Sequence, residues 1–190
     1  MKRLSKSQRG FSLLELMVAV SITGILLVVG VPSFQSTLLR ARGATLADTL
    51  ITAIYYARSE AISRNSRVSL CASIDGNSCQ LAAAVTSWNS GWIAIDSTNT
   101  VIKIWDIDAV NSQVQLVNLG PPPAPRVNLS LHRLVYNSSG EAQMRSEADA
   151  DVIAAIGFTS EVVGCVGMAN QRRVVGIDAS GRIVVNQEDC

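Results

Sequence analysis

The sequence predicts an α+β fold in which a long N-terminal helix packs on an antiparallel β-sheet body. Three observations predict it. Apolar residues recur at helical spacing as far as about Arg64, short β-branched and aromatic segments begin at Arg67, and no internal repeat or second domain follows. A chain of 190 residues is long enough to bury a proper core. With 16% charged and 48% apolar residues, it lacks the composition of a disordered chain.

The first element is a basic leader, residues 1–10, with Lys2, Arg3, Lys6 and Arg9 ahead of Gly10. From Phe11 to Val31 follow 21 residues that carry one charge, Glu15. As a helix this run spans about 30 Å, the thickness of a bilayer core. The basic leader places the N-terminus on the cytoplasmic side and the remainder outside. A cleaved secretory signal is the competing reading. Its apolar region is usually about 7–15 residues and is followed by a small-residue cleavage site, which this sequence lacks. Neither a signal nor a plain anchor has a use for Glu15. A carboxylate costs about 2.5–3.5 kcal/mol at bilayer centre, so it calls for a partner. Gly24 and Pro32 soften the same helix, glycine by about 1 kcal/mol and an interior proline by about 3.

Beyond Pro32, Leu39, Gly43, Leu46, Leu50, Ile54, Ala57 and Ala61 recur every three or four residues and form one apolar face. Arg40, Arg42, Asp48, Arg58 and Arg64 fall largely off it. The division is therefore a leader (1–10), a helix (11–66, membrane part 11–31) and a β-rich body (67–190). Within the body, segments 67–73, 91–96, 101–107, 126–136, 142–145 and 153–159 read as strands. Residues 172–177 and 182–186 read as a hairpin around Asp178-Ala179-Ser180-Gly181. Pro121, Pro122, Pro123 and Pro125 mark an exposed loop. Of Trp88, Trp92 and Trp105, at least two belong in the core.

Cys71, Cys79, Cys165 and Cys190 form an even set, and a body outside the cytoplasm makes disulfides the default. Four cysteines allow three connectivities. The pairing Cys71–Cys79 with Cys165–Cys190 keeps each bridge within its own half of the body. Their spacing does not suit zinc, and no metal or other cofactor is expected. Taking the four leader charges from 16 basic residues leaves 12 against 15 acidic, a net charge of −3. That excludes a general nucleic-acid binder but not a local patch. His132 has no nucleophile motif near it and reads as a strand residue, so an enzyme is not expected. Asp149 and Asp151 lack the glycine and glutamate of a calcium loop and read as a solvated turn.

Gly10-Phe11-Ser12-Leu13-Leu14-Glu15 resembles the processing signal of type IV prepilins and of type II secretion pseudopilins. The resemblance implies cutting between Gly10 and Phe11 by a prepilin peptidase and methylation of the Phe11 amine. It gives Glu15 the task of neutralising a neighbouring subunit's N-terminal amine during assembly. In low dielectric, each of those charges offsets the other's desolvation cost. It also implies local melting between Gly24 and Pro32 in assembled pili. YARSEAISRNSRVSLC, WNSGWIAID, LVYNSSGEA and RRVVGIDASGRIVV are together similar to the FimT/FimU minor pilins and their pseudopilin relative GspH. The implied partners are the major pilin, other minor pilins and the inner membrane. The implied location is a single pass in the inner membrane of a Gram-negative envelope with a periplasmic body, then the extracellular pilus. Some FimT proteins bind DNA through a C-terminal G-R-x-R motif. Here Gly181 and Arg182 match it and Val184 replaces the second arginine. Arg172 and Arg173 would have to join Arg182 across the hairpin, and strand alternation lets only one of them share its face.

Overall fold

The computed structural model describes residues 12–80, 88–107, 112–118, 131–146, 151–152, 156–162, 167 and 169–190. The chain divides into two compact units, residues 1–38 and 39–190. One helix, α1 (Leu13–Ser63), contributes to both. Its start is capped by Ser12, whose Oγ accepts from the Glu15 amide at 3.2 Å. Its end is a Schellman motif. Asn65 takes a left-handed conformation (φ 48°), the Ser66 amide donates to the Ala61 carbonyl, and the Asn65 amide donates to that of Ile62. The helix read from periodicity therefore stands, with its stop chemistry at Asn65.

In the unit 39–190, the periodic stripe faces inward. Gly43, Leu46, Leu50, Ile54, Ala57 and Ala61 are buried, and Leu39 is half-buried. Ten strands follow: β1 (Val68–Ala72), β2 (Trp92–Ile95), β3 (Val101–Trp105), β4 (Ser112–Asn118), β5 (Leu131–Tyr136), β6 (Ala142–Ser146), β7 (Asp151–Val152), β8 (Ile156–Val162), β9 (Arg172–Ile177) and β10 (Ile183–Glu188). They form two antiparallel sheets, ordered β3-β2-β1-β5-β6-β7 and β10-β9-β8-β4. The α+β architecture is thus observed. Strand alternation sends Val68, Leu70, Ala72, Leu134 and Tyr136 into one cluster with the helix stripe, and Val114, Phe158, Val175 and Ile177 join it from the second sheet. Cys71, Ile93 and Ile95 point the other way into a smaller cluster.

Trp88 joins the two sheets. Its ring lies 4.7 Å from Phe158 of β8, edge-on at 70°, and 6.4 Å from Trp92 of β2. Its amide donates to the Val114 carbonyl, while the Val114 amide donates to Asn89 Oδ1. Trp88 and Trp92 are fully buried, and Trp105 is half-buried against Tyr56. Strand β4 was not among the sequence-derived elements. Asp151 belongs to β7, opposite Arg145 of β6, so it is a strand residue and not part of a turn. The proline-rich loop, Asp149, and residues 126–130 and 153–155 of the expected strands lie outside the described residues.

Candidate functional site

The residues that carry the sequence argument fall in two places, the apolar start of α1 and the far hairpin. Gly10 and Phe11 lie outside the described residues. Immediately after them, Ser12 and Glu15 occupy the first and last positions of an S-x-x-E capping sequence, and the Glu15 side chain is exposed. Leu13, Leu14, Leu16, Met17, Val18, Val20, Ile22 and 25–28 are also exposed, Leu13 at 78%. A continuous apolar surface of this kind requires an apolar environment or another helix. The polar side chains among them fold back on the helix. Ser21 Oγ donates to the Met17 carbonyl and Thr23 Oγ1 to that of Ala19, each at 2.8 Å.

The helix is unbroken through Gly24 and Pro32. A Cβ added at Gly24 would meet nothing within 4 Å. Among the described residues, no helix is long and apolar enough to cross a membrane. The fully described side chains of this segment stop at Val28, whereas the apolar sequence runs on to Val31.

The three arginines of the hairpin are not brought together. Arg182 follows the β9–β10 turn and pairs with Asp178 at 3.1 Å. Arg172 and Arg173 stand at the other end, opposite Glu188 and Gln187. At about 3.3 Å per residue, the five rungs from Ile177 to Arg172 span roughly 17 Å. Arg172 is itself paired with Glu161 at 2.7 Å. The alternation argument holds for Arg172 and Arg173, which lie on opposite faces, but position along the hairpin keeps both from Arg182.

What the turn does instead is fasten α1 to the sheets. Arg58 Nη1 and Nη2 donate to the carbonyls of Gly181 and Ser180, each at 3.1 Å. The β5–β6 turn stacks beneath, with the Ala142 amide donating to the Ala179 carbonyl. The YARSEA, NSSGE and DASGR segments thus meet at one three-way junction, a role that sequence reading did not assign. The turn glycines Gly140 and Gly181 of the latter two were the available signal. Tyr136 borders the junction, and burial pushes its phenol well above the usual range.

Cys71 and Cys79 form a disulfide with Cα atoms 5.5 Å apart, as expected. Cys190 is also disulfide-bonded, and Cys165 lies outside the described residues. Inside the Cys71–Cys79 loop, Asp75 Oδ1 accepts from the Asn77 and Ser78 amides at 2.9 Å, and Oδ2 accepts from Ser78 Oγ. These bonds, the Asn77 amide first, hold the Asp75 carboxyl far below its ordinary 3.8. A depressed folded-state value contributes order that is complete above 3.8 and is lost as pH falls toward the folded value. The Asn77 and Ser78 amide resonances should therefore stay fixed from pH 7 to about 4 and move only below it. A midpoint at or above 3.8 would remove the carboxylate's claim to organising this loop.

Residues 46–181 match the family described as type II transport protein GspH, and residues 5–31 match the prokaryotic N-terminal methylation motif. Prepilin peptidase-dependent protein D of Escherichia coli is 47% identical over 49 residues, 26% of this chain and 32% of that protein. The chain thus matches about a third of that relative's length. The type IV minor pilin FimU of Pseudomonas aeruginosa is similar with a TM-score of 0.49, at 16% identity over 80% of this chain and 90% of that one. The minor pseudopilin EpsH from the Type 2 Secretion System of Vibrio cholerae has a TM-score of 0.44, at 13% identity over 77% and 97%. Because the GspH match runs over most of the chain, with the methylation motif ahead of it, this protein belongs to the GspH family of pilin-like proteins.

Proposed function

We propose that this protein is a minor pilin, a structural and assembly subunit of a type IV pilus processed by a prepilin peptidase. The observation that carries the reading is the methylation motif at residues 5–31 joined to a helix whose apolar side chains are exposed while its hydroxyls are bonded internally. Such a surface suits first a lipid bilayer and then the packed helices of a filament. In this reading the chain sits once in the inner membrane, N-terminus inward and body periplasmic. It is cut between Gly10 and Phe11 and methylated on Phe11. It then enters the pilus beside the major pilin and other minor pilins. Glu15 meets the amine of an adjacent subunit, and Gly24 and Pro32 let the helix yield locally. No catalytic role is assigned to the body.

The test is a deletion strain complemented with Gly10→Val or Glu15→Val. Gly10→Val should leave the chain uncleaved, and either variant should abolish surface pili and twitching. Normal piliation with an uncleaved chain would sink the proposal. A second reading, a minor pseudopilin of type II secretion, draws on the description of the matching family. Loss of protein secretion with pili intact would favour it. DNA uptake is not proposed, because Arg172, Arg173 and Arg182 are dispersed and two of them are ion-paired.

A further inference from the structure

Arg173, which the hairpin separates from Arg182, has a different companion. It lines a cleft of about 330 Å³ together with Arg40 of α1 and with Ala169, Asn170, Gln171 and Gln187. At Gly43, α1 comes close to Gln171 and Val162. A Cβ there would stand 3.5 Å from the Gln171 carbonyl and 3.5 Å from Val162. Arg40, one turn earlier, lies on the same side of the helix. Arg173 and Gln187 are cross-strand partners on β9 and β10, so their side chains leave the sheet on one face.

The lining is unusual in what it lacks. Among the described residues, two guanidinium groups share the cleft with three carboxamides, and no carboxylate lines it. The nearest acid by bonding is Asp189, whose Oδ1 accepts the Asn170 amide. Among the described residues, the side chains of Arg40, Gln171 and Arg173 make no hydrogen bond or ion pair. Gln171 is 94% buried and borders the cleft. Two like charges facing one cleft repel each other. A ligand that accepts several hydrogen bonds and carries negative charge relieves that repulsion and engages the carboxamides. A tetrahedral oxyanion offers acceptors in more directions than a planar carboxylate. It therefore suits donors that arrive from a helix, a loop and two strands.

We infer that the Arg40–Gln171–Arg173–Gln187 cleft is a phosphate-binding site, occupied by free phosphate or by the phosphate of a phospholipid headgroup. This holds whether the filament served is a pilus or a secretion pseudopilus. The test uses the full chain in neutral detergent micelles at constant ionic strength, with arginine Nε and glutamine side-chain resonances as the readout. Inorganic phosphate is titrated in one arm, short-chain phosphatidylglycerol in a second, and chloride and short-chain phosphatidylcholine serve as controls. The expected result is a saturable shift of the Arg173 and Gln171 signals in the first arm, the second, or both. Saturation by inorganic phosphate assigns the site to the free ion. Saturation by phosphatidylglycerol alone assigns it to the headgroup. Arg40→Gln and Arg173→Gln should each weaken binding at least about tenfold, while Arg182→Gln leaves it unchanged. Unchanged thermal unfolding of the two cleft variants would show that neither acts by disrupting the fold. Shifts that rise linearly and equally with chloride would overturn the inference, as would equal sensitivity to Arg182→Gln. Binding of duplex DNA without binding of either phosphate probe would overturn it in favour of a nucleic-acid surface.

Discussion

Trp88→Ala is expected to lower the stability of the body by about 3–5 kcal/mol, the range for removing a large buried aromatic. Trp88 is fully buried, and its ring contacts lead to both sheets, through Trp92 to the first and through Phe158 to the second. Its removal opens a cavity at the point where the sheets meet. The same loop holds β4, because both backbone groups of Val114 bond to Trp88 and Asn89. Urea unfolding of the full chain in detergent, followed by far-ultraviolet dichroism, reads the effect. Trp105→Ala, at a half-buried edge position, should cost clearly less. If the two variants unfolded at the same urea concentration, Trp88 would not be the link between the sheets.

Gly181→Ala should destabilise the body by about 2–4 kcal/mol. The φ of Gly181 is +77°, and an added Cβ would fall 2.5 Å from the Gly140 carbonyl oxygen and 3.0 Å from the Tyr136 ring. A non-glycine residue in such a conformation costs about 1–3 kcal/mol. The clash adds to it, because one turn must move off the other. Arg58 then loses its geometry toward the Gly181 and Ser180 carbonyls, and hydrogen bonds to a charged group are worth about 1.5–3 kcal/mol each. Gly167→Ala separates these contributions. Its φ is +74°, but nothing lies within 4 Å of the added atom. It therefore reports backbone strain alone and should cost about 1–2 kcal/mol. Equal losses for the two variants would mean that the junction contributes nothing beyond its backbone conformation.

Elements whose determinants are local were legible in the sequence. The stripe from Leu39 to Ala61, the β9–β10 hairpin around its turn glycine and the eight-residue Cys71–Cys79 bridge all follow from short-range pattern. Strand β4 was harder because its partner, β8, begins 38 residues after it ends. Its only cue was Val114 and Leu116 alternating with Gln113 and Gln115. Alternation separated Arg172 from Arg173 by face, but it carries no information on distance along a hairpin, so the proposed meeting with Arg182 failed. Arg40 and Arg173 lie 133 positions apart, and they line one cleft only because the fold packs α1 beside the end of β8 and the start of β9. For the same reason the junction of Arg58 with two turns was invisible, although each motif within it was noticed singly.

The inward bonding of Ser21 and Thr23 has a consequence for how the N-terminal segment changes surroundings. A helix whose hydroxyls already point to its own carbonyls has no exchange of polar partners to make when it leaves one medium for another. Within residues 13–28, Glu15 is then the one group whose free energy depends strongly on what lies beside it. Such a segment is portable, carrying its own solvation along nearly its whole length. Under the proposed pilin function, extraction from a membrane would be opposed chiefly by the loss of apolar contact, which neighbouring helices can replace, and the choice of neighbour would be made at a single carboxylate.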